Sequence, residues 1–228
     1  MATTPTNLRA RAAEEARPLL APPRDGPSTR PPVDDPRYVR LREEIDRPQS
    51  VDGGVTDWAE VASLGRALLS EGLGDLLIAA YTARAAQRSA GIAGTAFALA
   101  LLGGRLPIEC EGASPRRRRA LASALRWWTR GAEAPLQRAF EAQRATVATS
   151  DLEELRAQLD EVAARTRTLL GEQAPAFGEL RREIDRALAH ATGAADHPTS
   201  ESPPDSTQPD PAATSDTAEP VPPAQDSP

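Results

Sequence analysis

The sequence predicts an all-α protein made of a helical-bundle domain, a helical-hairpin extension and a disordered C-terminal tail. Three observations carry that prediction. Apolar residues recur at spacings of three and four along most of the chain. Acidic or hydroxyl residues stand where several of these stripes begin, and glycines stand where some of them end. No segment requires a strand. The 228 residues include 22 Pro and only three Trp, two Tyr and three Phe, so part of the chain cannot build a core. That part is the C-terminus, where residues 191–228 hold seven acidic side chains, nine Pro and no Arg, against 27 Arg and 26 acidic residues in the remainder. The net charge of −6 therefore belongs to the tail. The body is close to neutral and lacks the basic field expected of a protein that coats nucleic acid.

From the N-terminus, Asn7–Leu20 reads as a short amphipathic helix, and the six prolines of Ala21–Pro36 make an extended segment. Tyr38, Leu41 and Ile45 recur at helical spacing behind Asp35 as cap and Pro36 in the first turn. Asp52-Gly53-Gly54 closes that unit. Asp57 opens the next helix, with Thr56 a competing cap and Glu60 placed as a capping-box partner. Trp58, Val61, Leu64 and Leu68 form its stripe down to Gly72, with Trp58 as its buried ring. Asp75 caps a third helix that buries Leu76 or Leu77, Ala80, Tyr81 and Ala85 and turns Arg84 and Arg88 to water. Between Gly91 and Gly104 a small-residue helix, carrying Ile92, Phe97, Leu99, Leu101 and Leu102, is apolar nearly all round, which suits a central buried position.

After Leu106-Pro107 a loop holding Cys110 and Gly112 leads to Ser114-Pro115, a strong helix start. Leu121, Leu125 and Trp128 give that helix its apolar face, and a break is expected near Gly131, before a segment around Leu136 and Phe140. Ser150-Asp151-Leu152-Glu153 reads as a capping box, followed by a seam of Leu152, Leu155, Leu159, Val162, Thr166 and Leu169. Phe177, Leu180, Ile184 and Leu188 match it after a short turn, so residues 150–190 predict an antiparallel hairpin. The seam closes either on the preceding helices or on a second copy of the chain. The organisation expected is thus an N-terminal segment over 1–34, a helical domain over 35–130, a helical extension over 131–190 and a tail over 191–228.

Pro18-Leu19-Leu20, Pro36-Arg37-Tyr38, Asp57-Trp58, Leu68-Leu69, Gly74-Asp75-Leu76 and Tyr81 follow one another in an order that resembles the ImpA-type N-terminal domain of TssA proteins of bacterial type VI secretion systems. The Asp-Trp and Asp-Leu pairs, 18 residues apart, are its most recognisable points, and the resemblance covers roughly residues 15–125. It implies a non-enzymatic cytoplasmic assembly factor that acts at the baseplate and during growth of tube and sheath, with subunits of those structures as partners and Tyr38, Asp57, Trp58, Leu68, Asp75, Leu76 and Tyr81 as structural motif residues. The chain departs from the pattern at Gly103-Gly104-Arg105, where relatives carry an aromatic pair, and in ending in an acidic tail where relatives continue into a ring-forming domain. A small helical adaptor or regulator unrelated to secretion is the alternative.

Chemistry is sparse. His190 and His197 are the only histidines, both placed at the start of the tail, and one distant cysteine cannot complete a zinc site with them. Cys110 has no nearby base to make it a nucleophile. The chain has no Lys, hence no phosphate loop of the Lys-bearing kind. Asp57 and Asp75 read as caps and not as a catalytic pair. No catalytic residue, cofactor, metal or small-molecule substrate is expected. Residues 1–30 contain no apolar run of the signal-peptide type, and Leu76–Ala80 and Ala96–Leu102 fall short of the about 20 residues that span a bilayer, so a cytoplasmic location is expected. The candidate interaction residues are Arg116, Arg117, Arg118 and Arg119 with Trp127 on the same helix. Four arginines in a first turn oppose the helix dipole, so they form either a solvated face or a patch for an acidic partner. That partner is a carboxylate-rich protein surface or the chain's own tail, with nucleic acid stacking on Trp127 disfavoured.

Overall fold

Every residue of the core lies within one turn of a helix, and the local rules that start those helices hold well. The computed structural model describes residues 7–22, 32–49 and 53–193, which belong to one compact unit, Met1–Asp196. The described residues contain helices and turns and no strand. The tail expected from 191 onward lies outside the described residues beyond Gly193, as do residues 23–31 of the proline-rich segment and Asp52.

Helix α1, Leu8–Ala16, is capped by Asn7, whose Oδ1 accepts from the Ala10 N–H at 2.8 Å, and it runs into a 3-10 turn, Arg17–Leu20. Helix α2, Pro36–Asp46, starts as expected at Asp35 and Pro36 and buries Leu41. Helix α3, Trp58–Ser70, has Asp57 as its cap and ends in a Schellman closure. Gly72 at φ 71° lets the Leu73 N–H reach the Leu68 carbonyl at 2.9 Å and its own N–H reach Leu69 at 3.1 Å.

Helix α4, Leu76–Cys110, is the centre of the bundle and touches α1, α3, α5 and α6. Its two apolar stretches, which the sequence separates at Gly91, are continuous with a kink there. Gly91 sits at φ 56° and ψ −119°, a conformation essentially restricted to glycine. The small-residue helix is as buried as expected, with Phe97, Leu99, Leu101 and Leu102 at 1% exposure or less. The full helix is long and apolar enough to cross a membrane by length and composition, which neither stretch is alone. Its apolarity has a use in the core, since 67% of the most apolar window is buried.

The loop expected after Pro107 is instead the last turn of α4. Proline lacks the N–H that would bond the Gly103 carbonyl four residues back. Arg165 of helix α6, Thr149–Leu170, donates to that carbonyl at 3.0 Å, so the freed acceptor is satisfied from outside the helix. Cys110 is accordingly a buried helix-end residue.

The break expected near Gly131 is also absent. Helix α5, Pro115–Gln143, starts at the Ser114 cap and runs unbroken through Gly131 and Pro135. Carbonyls on either side of Gly131 accept from α4, with Arg84 donating to Trp127 and Trp128 and Gln87 donating to Ala132 at 3.0 Å. Helix α6 begins a turn's edge earlier than the expected capping box, with Ala148 at the cap and no side-chain bond. Its seam buries Leu152, Leu155, Leu159, Val162 and Thr166 as expected but closes with Leu170, leaving Leu169 half-buried. Helix α7, Gly178–Ala191, returns antiparallel with Phe177, Leu180 and Ile184 buried, and packs on both α5 and α6. The seam therefore closes within the chain.

Candidate interaction surface

Each expected motif residue has an identifiable task. Asp57 caps α3, its Oδ1 accepting from Ala59 and Glu60 at 3.0 Å. The return bond of a capping box is not made. Glu60 instead pairs with Arg40 of α2, which holds its carboxyl below the usual carboxylate range, while the Asp57 N–H goes to Glu44 at 3.1 Å. Glu44 is fully buried and also meets Arg40 and Arg47. Thr56 is buried and is not the cap. Trp58 is half-buried, not enclosed, and carries the Arg88 guanidinium over its ring at 5.0 Å. Tyr38 is half-buried against the core, while Leu68 and Leu76 are fully enclosed.

Asp75 does more than cap α4. Its Oδ1 accepts from Leu77 and Ile78 at 3.0 and 3.1 Å, and its Oδ2 lies 3.7 Å from Arg117. Arg117 also donates to Glu109, and Glu109 pairs with Arg105 at 3.1 Å, so two acids and two arginines form a chain between α4 and α5. Arg105 and Glu109 have no exposed surface at all. Burial pushes the Glu109 carboxyl up despite both guanidiniums. Arg105 also donates to the carbonyls of Leu19 at 3.2 Å, Ala21 at 3.0 Å and Gly74, binding the N-terminal turn to the start of α4. At Gly104 a Cβ would come within 2.8 Å of Leu20, so glycine there permits the close chain crossing beside the Arg105 clamp. Nothing in the motif pattern marked this pair. The available signal was Arg and Glu four residues apart on an otherwise apolar helix.

The arginine run does not act as a unit. Arg117 points inward to Glu109 and Asp75, which supply the acidic partner that its place in a first turn calls for, whereas Arg116, Arg118 and Arg119 are exposed. Trp127 is half-buried and engaged: its ring meets Tyr81 edge-on at 4.8 Å and lies under the Arg84 guanidinium at 5.1 Å. On the far side Arg42 stands over Tyr81 at 5.8 Å and donates to its hydroxyl. Arg42, Tyr81, Trp127 and Arg84 thus form one row of two edge-on rings with a cation at each end, joining Tyr81 to the candidate interaction residue Trp127. Arg84, expected at the surface, is 7% exposed, and burial draws its pKa down to about 10, so it stays charged at neutral pH. The missing side chain at Gly131 makes room for it, because a Cβ there would collide with the Arg84 guanidinium.

Catalytic geometry is not assembled around the remaining candidates. Burial raises the Cys110 thiol, away from thiolate character. His190 lies in the last turn of α7, not in the tail, 3.5 Å from Arg144, and His197 is outside the described residues. Among the described residues no three His, Cys, Asp or Glu could share a metal ion.

The family model described as ImpA, N-terminal, type VI secretion system matches residues 22–130, the span that holds the Arg42–Tyr81–Trp127–Arg84 row, the Asp57 and Asp75 contacts and the Arg105–Glu109 pair. That segment is an ImpA-type N-terminal domain. No curated protein matches the chain. Among solved structures, the N-terminal domain including the conserved ImpA_N region of the TssA component of the type VI secretion system from Burkholderia cenocepacia is similar. Its TM-score is 0.51, with 84% of this chain and 94% of that one covered at 17% identity. At that identity the likeness is one of fold. It extends past the ImpA domain, since 84% of this chain is more than residues 22–130 supply.

Proposed function

We propose that the chain is a TssA-like, non-enzymatic component of a bacterial type VI secretion system. It acts in the cytoplasm as an assembly factor that coordinates baseplate and sheath through protein contacts. The observation that carries this reading is the ImpA match over residues 22–130, joined by a fold likeness reaching 94% of a TssA N-terminal domain. The interior chemistry is compatible with it: the buried acids serve helix caps and inter-helix ion pairs. In this reading residues 35–130 present the family's part of the bundle and residues 131–190 buttress it. Ring formation is not part of the proposal. Affinity capture of the tagged full chain from its native host tests it: sheath, tube or baseplate subunits are expected in the eluate. Their consistent absence, together with no secretion genes beside the coding sequence, would return the chain to the class of general helical adaptors.

A further inference from the structure

One buried cation has no anion among the described residues. Arg84 is 7% exposed, donates to the carbonyls of Trp127 at 3.3 Å and Trp128, and leaves its Nε without a partner. The charged neighbour acting on it is Arg88, a second cation. A guanidinium held away from water without a counter-charge is unfavourable, and carbonyls and an indole face offset only part of that. Arg84 lines an open recess of about 520 Å³ with Ser123, Arg126, Trp127, Arg130 and Gly131. No carboxylate lines it. Arg126 donates to the Gln173 carbonyl at 3.1 Å and to Ser123 Oγ at 2.9 Å, and Arg130 is exposed with no ion pair among the described residues. Three guanidiniums, a hydroxyl and a half-buried indole therefore converge with no acid between them.

We propose that this recess docks an acidic segment of a partner protein, with one Asp or Glu carboxylate seated among Arg84, Arg126 and Arg130 and the adjoining chain lying on Trp127. The recess is of a size for one or two acidic side chains and not for a tracked phosphate backbone. The chain's net charge of −6 also opposes a long polyanion, which would feel the whole molecule, more than a short acidic peptide, which feels the recess. The site rests on the protein-binding reading above and supplies the chemistry of its partner. It differs from the Arg116–Arg119 run, whose inward member already has its acids.

Calorimetric titration of the purified full chain at low salt tests it with three probes: a blocked tetra-glutamate peptide, its tetra-glutamine counterpart, and a short oligothymidylate. The glutamate peptide is expected to saturate one site, to weaken as salt rises, and to outcompete the oligothymidylate; the glutamine peptide is expected not to bind. Arg126→Gln and Arg130→Gln, both at accessible positions, are each expected to weaken binding at least fivefold with unchanged far-ultraviolet dichroism. Arg11→Gln, at an exposed position of α1, is expected to leave it unchanged. Absence of saturable binding, equal binding by the Arg126 and Arg130 variants, or tighter binding of the oligothymidylate would overturn the proposal. Failure to capture secretion subunits would leave this titration unaffected, so the two readings fall separately.

Discussion

Arg105 and Glu109 occupy positions where neither could carry its charge alone. Both are fully enclosed, and each satisfies the other one helical turn away. Arg105→Met leaves Glu109 buried with Arg117 as its remaining partner and strips the Leu19, Ala21 and Gly74 carbonyls of their donor, so it is expected to destabilise by about 3–5 kcal/mol in urea unfolding. Arg117→Met, at a partly exposed end of the same chain of charges, is expected to cost clearly less. Carboxylates nearer the surface set the response to acid. Arg37 holds Asp35 below its ordinary range, and Arg40 does the same for Glu60. A carboxyl depressed on folding adds stability above its unfolded value and loses it as pH falls through the depressed one. The urea midpoint is therefore expected to drop between pH 5 and pH 2. In Asp35→Asn/Glu60→Gln the drop should be smaller, the asparagine still able to cap α2.

At the scale of the element, α4 shows what a single glycine allows. Gly91 takes a backbone conformation closed to side chains, and a Cβ there would also sit 3.0 Å from Ala139. Gly91→Ala is expected to lower stability by about 1–3 kcal/mol, read as a lower thermal midpoint with the helical signal retained at low temperature. Helix starts were legible in the sequence because their signals are local: Asp35-Pro36, Asp57, Asp75 and Ser114-Pro115 each bond within three residues of themselves. Helix ends were less so. The stops read at Pro107 and near Gly131 fail because Arg165 and Arg84, distant in sequence, reach the carbonyls there. The candidate site divides in the same way. Tyr81 was recognisable as a buried ring and Trp127 as a candidate contact residue, but no periodicity announces that the two rings meet, that Arg84 lies over Trp127 from 43 residues away, or that Arg105 is internal.

At the scale of the whole molecule, the α6 seam and its α7 partner spend their apolar faces inside the bundle. A monomer of 24.2 kDa is the mass expected by sedimentation at micromolar concentration, and a concentration-dependent dimer would require a face other than that seam. Helix α5 has a role that its ends do not reveal. Its first half carries Trp128 into the ImpA domain, and its second half, with Leu136 and Ala139, runs on beyond residue 130 into the region that α7 covers. The family's boundary at 130 therefore falls mid-helix. A chain cut there would take from α7 the half of α5 it packs against, so the family's segment and the helices after it are parts of one packing unit.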